Sequence, residues 1–314
     1  MPTARSKWKD RCIYGIVAVF GWWCRCLPKG WAIQFGRGVG LLYYYLVKKR
    51  REIASNNLQI AFGDHFTASQ RAEICKASFI NVGKTCIEFL RFPKLNAENI
   101  WNEVTVEGRE NLYTALEEGK GAIVFLAHFG NWELLSLTYG TLIPDRAKAI
   151  AFPLKNELLN TYIWRYREQM SLELIPRKRA VRETLRALKN NQAVGFFADQ
   201  NAGREGVFVE FLGKPASAVR GPAVLALKTG APLLFSLDIR QPDDRHHVYI
   251  SSPIYTEPSD DFERDVELYT TQMLEQLETY IHKHPEQWLW LHNRWKTQPH
   301  VDRQLTTEDS HRTI

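Results

Sequence analysis

His128 and Glu133 are the residues whose types and spacing most directly indicate chemistry. They stand five positions apart in the segment HFGNWE. On one regular helix, side chains at this spacing point about 140° away from each other. They can meet only if His128 lies outside the helix and a turn folds it back over the first helical turn. A neutral imidazole held by a carboxylate can act as a general base toward a hydroxyl group, which here would belong to the substrate because the stretch has no serine or cysteine nucleophile.

The residues around the pair predict a strand, a turn and a helix. Residues 122–127 form an unbroken apolar run, preceded by the turn signal EGKG at 118–121. Asn131 is a suitable N-cap, which places Glu133 in the first turn of the next helix. His128 is therefore expected where a buried strand becomes a helix, at the open edge of a sheet. The alternative is a structural histidine and a Glu133 that merely complements the helix dipole.

The HFGNWE segment, with the preceding GKGAIVFLA, resembles the His-x4-Asp/Glu block of the lysophospholipid acyltransferase superfamily. It has the Glu form used by the late acyltransferases of lipid A biosynthesis (lauroyl and myristoyl acyltransferases). Residues 285–297, PEQWLWLHNRWKT, resemble the closing motif of that family, and we interpret His292 within it as structural. An R-x5-N-L-x3-F block, also interpreted as structural, is matched by Arg51, Asn57, Leu58 and Phe62.

Asp199 follows an apolar strand candidate, 193–198, as His128 follows 122–127. The carboxyl ends of strands in open α/β sheets carry the ligand site, so both residues could face one crevice. The alternative is a loop aspartate that caps backbone amides. The resemblance favours a substrate-aligning role, because ADQNAGREGVFVEFLGKPA resembles the family block D-[QH]-x-x-G-x4-F-V-x-F-x-G-x-x-A. The sequence departs from the family at Val219-Arg220, which leaves the role of Arg220 open.

Arg167 and Arg165 are the candidate substrate-binding cations. They follow PLKN at 153–156, which resembles the family's R-P-x-x-N-P stretch, although Phe152 and Glu157 replace its first Arg and last Pro. We expect the two arginines to clamp a phosphate or a developing oxyanion, unless they are simply solvated. A further set of cations is either a solvated face or a phosphate-binding edge; it comprises Arg177, Lys178, Arg179 and Arg182.

The composition bounds the partners of the chain. A net charge of +6 and a pI near 9.0 favour anionic lipid, a phosphorylated substrate or an acidic carrier protein. No RNA- or DNA-binding signature accompanies this charge, so nucleic acid is not an expected partner. Hydrophobic content of 45% with 12% aromatic residues excludes disorder of the whole chain. The five cysteines lack paired spacing, which argues against a disulfide framework or a zinc site and suits a reducing cytoplasm.

Residues 1–47 are predicted to associate with a membrane. The apolar run 13–23 follows four cations, but at about 1.5 Å per residue it covers only half of a bilayer core. A second run, 31–47, is interrupted by Gln34 and Arg37. Two short aromatic segments with basic flanks favour insertion into one leaflet. The alternatives are a helical hairpin that packs on its own domain and a single uncleaved spanning anchor.

The remaining sequence predicts an α/β fold with a mixed, mostly parallel sheet flanked by helices. The resemblance implies a glycerol-3-phosphate acyltransferase-like domain at 48–297, followed by a polar tail at 298–314 predicted to be disordered. Residues 52–92 look helical. Beyond 104, strands are expected at 147–152, 193–198, 207–212, 232–239 and, at a sheet edge, 246–252; helices are expected at 156–170, 180–189, 222–229 and 262–284.

The resemblance implies an acyltransferase that acts at the cytoplasmic face of the inner membrane. The donor would be an acyl-carrier-protein thioester and the acceptor a hydroxyl on a Kdo-bearing lipid A precursor. His128 would deprotonate that hydroxyl, Glu133 would hold the imidazole, and Arg167 with Asp199 would align the substrate; no metal or cofactor is expected. The alternatives are a phosphatidylinositol mannoside acyltransferase that uses acyl-CoA and a non-catalytic lipid-binding protein.

Overall fold

The computed structural model of the protein describes residues 4–299, with side chains from Lys7 onward. The predicted tail beyond residue 299 lies outside these residues. The helices are α1 Ala4–Cys26, α2 Lys29–Leu46, α3 Lys48–Phe62, α4 Ala68–Arg91, α5 Arg109–Glu117, α6 Trp132–Leu142, α7 Glu157–Arg167, α8 Ala180–Lys189, α9 Gly221–Thr229 and α10 Phe262–Lys283. The strands are β1 Val104–Glu107, β2 Ala122–Leu126, β3 Ala147–Ala151, β4 Leu172–Pro176, β5 Ala193–Phe197, β6 Val207–Phe211, β7 Lys214–Ala218, β8 Leu233–Arg240 and β9 His246–Ile250.

Seven strands form one sheet in the order β1-β9-β8-β2-β5-β3-β4, and the pair β6-β7 forms a separate antiparallel hairpin. Neighbours in the sheet are parallel except β8 and β9, which confirms the predicted mixed, mostly parallel sheet. The central strand β2 is fully buried and contributes alternate side chains to two apolar cores. Ile123 and Phe125 face the core under α3, α8, α9 and α10, whereas Val124 faces the core under α5 and α6.

The prediction that 246–252 forms an edge strand is wrong. Strand β9 lies inside the sheet, because the unpredicted strand β1 pairs with it from Val104↔His246 to Glu107↔Tyr249. The opposite edge strand, β4, was also unpredicted. Both edge strands have only four or five residues, so neither offers enough alternation for a period-two signal.

The two N-terminal helices pack on the rest of the chain along one face. Helix α2 touches α4 backbone to backbone, since a Cβ atom on Gly40 would lie 2.4 Å from the Phe79 carbonyl oxygen and one on Gly83 would lie 2.4 Å from the Gly36 carbonyl oxygen. Helix α1 is tied down by Arg25, whose guanidinium donates to the Tyr166 hydroxyl at 2.8 Å. The hairpin therefore packs on its own domain, as the alternative interpretation required.

The opposite face of this hairpin is apolar and exposed. Trp8, Val19 and Trp22 on α1 are 71%, 67% and 61% exposed, and Trp31 at the start of α2 is 74% exposed. At about 100° per residue, the three side chains on α1 fall within about 60° of one another. Across the described helices, none combines the length and the apolar character that a membrane crossing requires.

Candidate active site

Adjacent strands bring His128 and Asp199 together at the carboxyl edge of the sheet. Strands β2 and β5 are parallel neighbours in which Leu126 pairs with Phe197, so the residues two positions further along stand side by side. His128 Nδ1 lies 2.7 Å from Asp199 Oδ1. That both residues face one substrate crevice stays a prediction; the structure shows that Asp199 contacts the imidazole itself.

The carboxylate of Asp199 is buried and fully engaged. Its Oδ2 accepts the backbone N–H of His128 at 3.0 Å and the indole N–H of Trp288 at 2.9 Å. Burial alone would raise the pKa of Asp199, but the attraction to His128 and these hydrogen bonds outweigh it and lower the pKa below its ordinary value. An ionised carboxylate only accepts hydrogen bonds, which assigns the proton to Nδ1 of His128 and leaves Nε2 as an acceptor.

The imidazole of His128 rests against two aromatic rings. Its centroid lies 4.8 Å from that of Phe197 and 5.6 Å from that of Trp132. The side chain retains 19% exposure, and its Nε2 makes no hydrogen bond to any part of the chain that the structure describes. The ring is therefore fixed at one nitrogen and available at the other, as a general base requires.

Glu133 does not hold the imidazole, which corrects the role expected from its spacing to His128. Its carboxylate accepts two hydrogen bonds from Arg167, from Nε at 2.8 Å and from Nη2 at 2.5 Å. Helix α6 starts at Trp132 with Asn131 as its N-cap, so Glu133 is in the first turn as predicted, but its side chain reaches α7 instead. Burial would lower the pKa of Arg167, and the hydrogen bonds and charge of Glu133 raise it, so the guanidinium is a fixed cation.

Arg165 does not join this pair. Two positions along α7 correspond to about 200° around the helix axis, so Arg165 projects away from the side on which Arg167 meets Glu133. Its side chain is exposed and forms no ion pair within the described chain. The structure therefore does not bring the two arginines together, and substrate binding by Arg167 stays a prediction.

The closing motif forms one wall of the site, a role that sequence reasoning missed. The Leu289 N–H donates to the His128 carbonyl oxygen at 3.1 Å, and the Gly130 N–H donates to the Gln287 carbonyl oxygen at 3.2 Å. Trp288 between them supplies the hydrogen bond to Asp199. His292 is also near, and its Nε2 accepts the Asn201 N–H at 3.1 Å. The sequence signal for this wall is the dense set of residues that match the closing motif, for which the sequence analysis predicts only a structural role.

The predicted structural block and Arg220 lie outside the reacting groups. Asn57 donates to the carbonyl oxygens of Trp290 and His292, at 2.8 and 2.6 Å, and so supports the closing motif from α3. Arg220 pairs with Glu263 at 2.7 Å at the start of α9.

The basic set that begins at Arg177 is exposed at the same edge of the sheet as the histidine. Residues 177–179 follow β4, which is separated from β5 only by β3. The Arg177 guanidinium lies 4.7 Å from the ring centroid of Phe152, which follows β3 and is 60% exposed. The side chain of Arg182 is 89% exposed. Arg182 lies 4.0 Å from Glu183, whereas Arg177, Lys178 and Arg179 form no ion pair within the described residues, so positive charge remains exposed at this edge of the sheet.

Comparisons with known proteins identify the family to which the chain is similar. The model of the family described as bacterial lipid A biosynthesis acyltransferase matches residues 5–297. A lipid A biosynthesis palmitoleoyltransferase of Escherichia coli K12 is 28% identical over 294 residues, covering 87% of this chain and 93% of the relative. A lauroyltransferase of the same strain is 28% identical over 277 residues, covering 87% and 88%. A phosphatidylinositol mannoside acyltransferase of Mycobacterium tuberculosis H37Rv is 32% identical, but over 168 residues that cover 50% and 52%.

Proposed function

The chain belongs to the bacterial lipid A biosynthesis acyltransferase family and is an acyltransferase, and we propose that it moves a fatty acyl chain from an acyl-carrier-protein thioester to a hydroxyl of a Kdo-bearing lipid A precursor. The observation that carries this proposal is the Asp199–His128 hydrogen bond, which leaves Nε2 of the imidazole free to accept a proton. Family membership supplies the class of acceptor, and the surface charge supports the choice of donor.

The proposed reaction proceeds by general-base catalysis. His128 Nε2 takes the proton of the acceptor hydroxyl as its oxygen attacks the thioester carbonyl carbon. Asp199 stabilises the imidazolium that forms, as the carboxylate of a catalytic triad does. The carbon–sulfur bond then breaks, the ester is complete, and the leaving thiolate recovers the proton from His128. Arg167, held by Glu133, offers a fixed positive charge to an anionic oxygen of the substrates.

The donor proposal rests on the exposed basic set. An acidic carrier protein would be attracted over a distance of about 10 Å at 0.1 M salt, and Arg177 and Arg182 lie where such a carrier could present its thioester to the crevice. A small donor such as acyl-CoA gains less from a wide basic surface. The partial match to a phosphatidylinositol mannoside acyltransferase keeps that acceptor as the second candidate.

The full-length protein should transfer a labelled acyl chain from acyl-carrier protein to a Kdo-bearing lipid A precursor. The assay offers each of two donors, acyl-carrier protein and acyl-CoA, with each of two acceptors, the lipid A precursor and a phosphatidylinositol mannoside. Labelled product with acyl-CoA and the mannoside alone would support the second candidate. Absence of product in all four combinations would contradict the proposed function.

The same assay tests the carrier surface by charge reversal. Arg177→Glu with Lys178→Glu should raise the apparent KM for acyl-carrier protein and weaken its dependence on salt, with a smaller change for acyl-CoA. A matched control reverses Arg109 and Arg264, exposed cations on α5 and α10. Equal responses to both donors would assign the basic set to the acceptor or the membrane instead.

We also propose that residues 1–47 hold the protein on the cytoplasmic face of the inner membrane. The support is the exposed apolar side of α1, which carries Trp8, Val19 and Trp22, together with the basic end of the segment at Lys48 and Lys49. Because the other side of the hairpin packs on α4, deleting the segment would also uncover core residues. Point substitutions therefore separate membrane binding from folding.

Val19→Ser with Trp22→Ser should weaken binding of the protein to vesicles of anionic phospholipid by at least about tenfold. Full burial of each apolar side chain contributes about 1.5–3 kcal/mol. Cosedimentation with vesicles measures the change, and Leu268→Ser on α10, where the leucine is 48% exposed, serves as the control. Unchanged cosedimentation of the double variant would place the membrane contact elsewhere on the protein.

A further inference from the structure

A network of buried charged side chains lies beneath the turn that carries His128. Arg240 on β8 makes two hydrogen bonds to Glu88 on α4, at 2.7 and 2.6 Å. His246 on β9 lies between two carboxylates, with Nδ1 2.9 Å from Asp238 Oδ1 and Nε2 3.4 Å from Glu88 Oε1. The side chains of Asp238 and His246 are 0% and 2% exposed. Groups this deeply buried are costly unless they are paired, so their arrangement is under strong constraint.

Both carboxylates of the network also hold Asn131, which stands between His128 and Glu133. Asp238 Oδ1 accepts the Asn131 backbone N–H at 2.6 Å, and Glu88 Oε2 accepts its side-chain amide at 2.9 Å. The remaining amide oxygen of Asn131 caps α6. The two carboxylates that His246 bridges therefore fix the residue at which the turn becomes a helix.

Gly130 is held by the same network. Its φ is +53°, and a Cβ atom there would lie 2.3 Å from Asp238 Oδ1, so only glycine fits against this carboxylate. The Gly130 carbonyl oxygen accepts from Asn81 at 2.9 Å and from Thr85 at 3.1 Å. Asn81 in turn accepts from Arg240 Nε at 2.8 Å. The position of the backbone between His128 and Asn131 is thus set by side chains of α4 and β8.

The charges of the network balance only when His246 is an imidazolium. Both of its ring nitrogens face carboxylate oxygens, so both must donate. Burial alone would lower the pKa of His246, but the charges of Asp238 and Glu88 outweigh it and raise the pKa to about 9. The other charged groups around it are Arg240 on β8, the Lys84–Asp244 ion pair beside Arg240, and Arg91, Lys29 and Glu103 around the adjoining cavity.

We propose that His246, as an imidazolium that bridges Asp238 and Glu88, is a positioning residue that holds the turn 128–133 in its working geometry. The inference rests on the proposed role of His128. Because the pKa of His246 is raised in the folded protein, its stabilising effect is complete below about pH 6.5 and is lost as the pH rises through about 9. A base that works as neutral imidazole does not itself lose activity in that range.

The test compares His246→Gln with His247→Gln between about pH 6 and about pH 10. His247 is the matched control, because it neighbours His246 on β9 but is 29% exposed and pairs with Glu107 at the surface. In the wild type and in the control, kcat should fall reversibly above about pH 9. At neutral pH, His246→Gln should have a kcat about 10- to 100-fold lower than that of the wild type and a nearly unchanged KM, because small displacements of catalytic groups slow chemistry more than binding. Its kcat should not fall further at alkaline pH.

Wild-type kcat in His246→Gln would overturn the inference. So would the same alkaline fall in that variant, which would assign it to another group, such as Arg294, whose pKa burial lowers to about 10. If His246→Gln does not fold, the pH dependence of the wild type tests the inference. A wild-type kcat that falls near pH 9 while the near-UV circular dichroism stays constant supports it. A kcat that stays constant until the protein unfolds overturns it. A His128→Ala variant that retains activity would instead refute the proposed role of His128, whereas absence of product with every donor and acceptor would refute the proposed function.

Discussion

Replacing His128 with alanine is expected to slow acyl transfer by about 10²–10⁴-fold, the usual contribution of a general base. Within the described residues, His292 is not available to replace it, because its Nε2 already accepts the Asn201 N–H. The rate of label transfer from the thioester to the lipid acceptor measures the loss. His65→Ala, which removes an exposed histidine in the turn that follows α3, should leave that rate unchanged.

The His128→Ala protein should remain folded, because its imidazole is partly exposed and its backbone hydrogen bonds to Asp199 and Leu289 are retained. Circular dichroism and thermal unfolding check this. Wild-type turnover in a folded His128→Ala protein would exclude general-base catalysis by this residue.

Asp199→Asn should reduce kcat by about 10²–10⁴-fold, although the side chain keeps its size. At the Oδ2 position two N–H donors, from the His128 backbone and Trp288, require an oxygen. The amide group of asparagine would then face Nδ1 of His128 and donate to it. That nitrogen would lose its proton to Nε2, and a protonated Nε2 cannot accept a proton from the substrate. Nitrogen NMR of labelled histidine reports the tautomer directly.

Glu133→Gln separates the two possible partners of His128. If Glu133 oriented the imidazole, this variant would show the same change of tautomer as Asp199→Asn. The structure instead predicts that the tautomer of His128 is unchanged in Glu133→Gln. The loss of transfer activity should be shared with Arg167→Met, so that the double variant Glu133→Gln with Arg167→Met is little less active than either single variant. Additive losses in the double variant would refute coupling through the ion pair.

The sequence was sufficient to predict the strands that end at His128 and Asp199, because each is an apolar run followed by polar residues. It could not predict that these strands are neighbours, since 66 residues intervene between Leu126 at the end of β2 and Ala193 at the start of β5, and strand order depends on tertiary packing. The prediction that Glu133 holds the imidazole was wrong for that reason. When the order of the strands is not known, the nearest carboxylate along the chain is the expected partner of His128.

Short strands, and contacts between residues far apart in the sequence, were not predicted for related reasons. Strand β1 has four residues, too few for a recognisable alternation. Trp288 reads as one more aromatic residue in an apolar motif, and only its position against Asp199 reveals its indole N–H as a functional donor. The charges of Glu88, Asp238 and His246 are dispersed over a helix and two strands, so their spacing in the sequence gave no sign of a network.

The wall formed by the closing motif has a consequence for biosynthesis of the protein. Strands β2 and β5 are synthesised before the closing motif, which supplies both the indole N–H that Asp199 accepts and the Leu289 N–H that donates to the His128 carbonyl oxygen. Such non-local contacts form late in folding. A nascent chain from which Trp288 and Leu289 have not yet emerged would therefore carry the histidine and the aspartate without a finished site, and it would not acylate lipid at that stage.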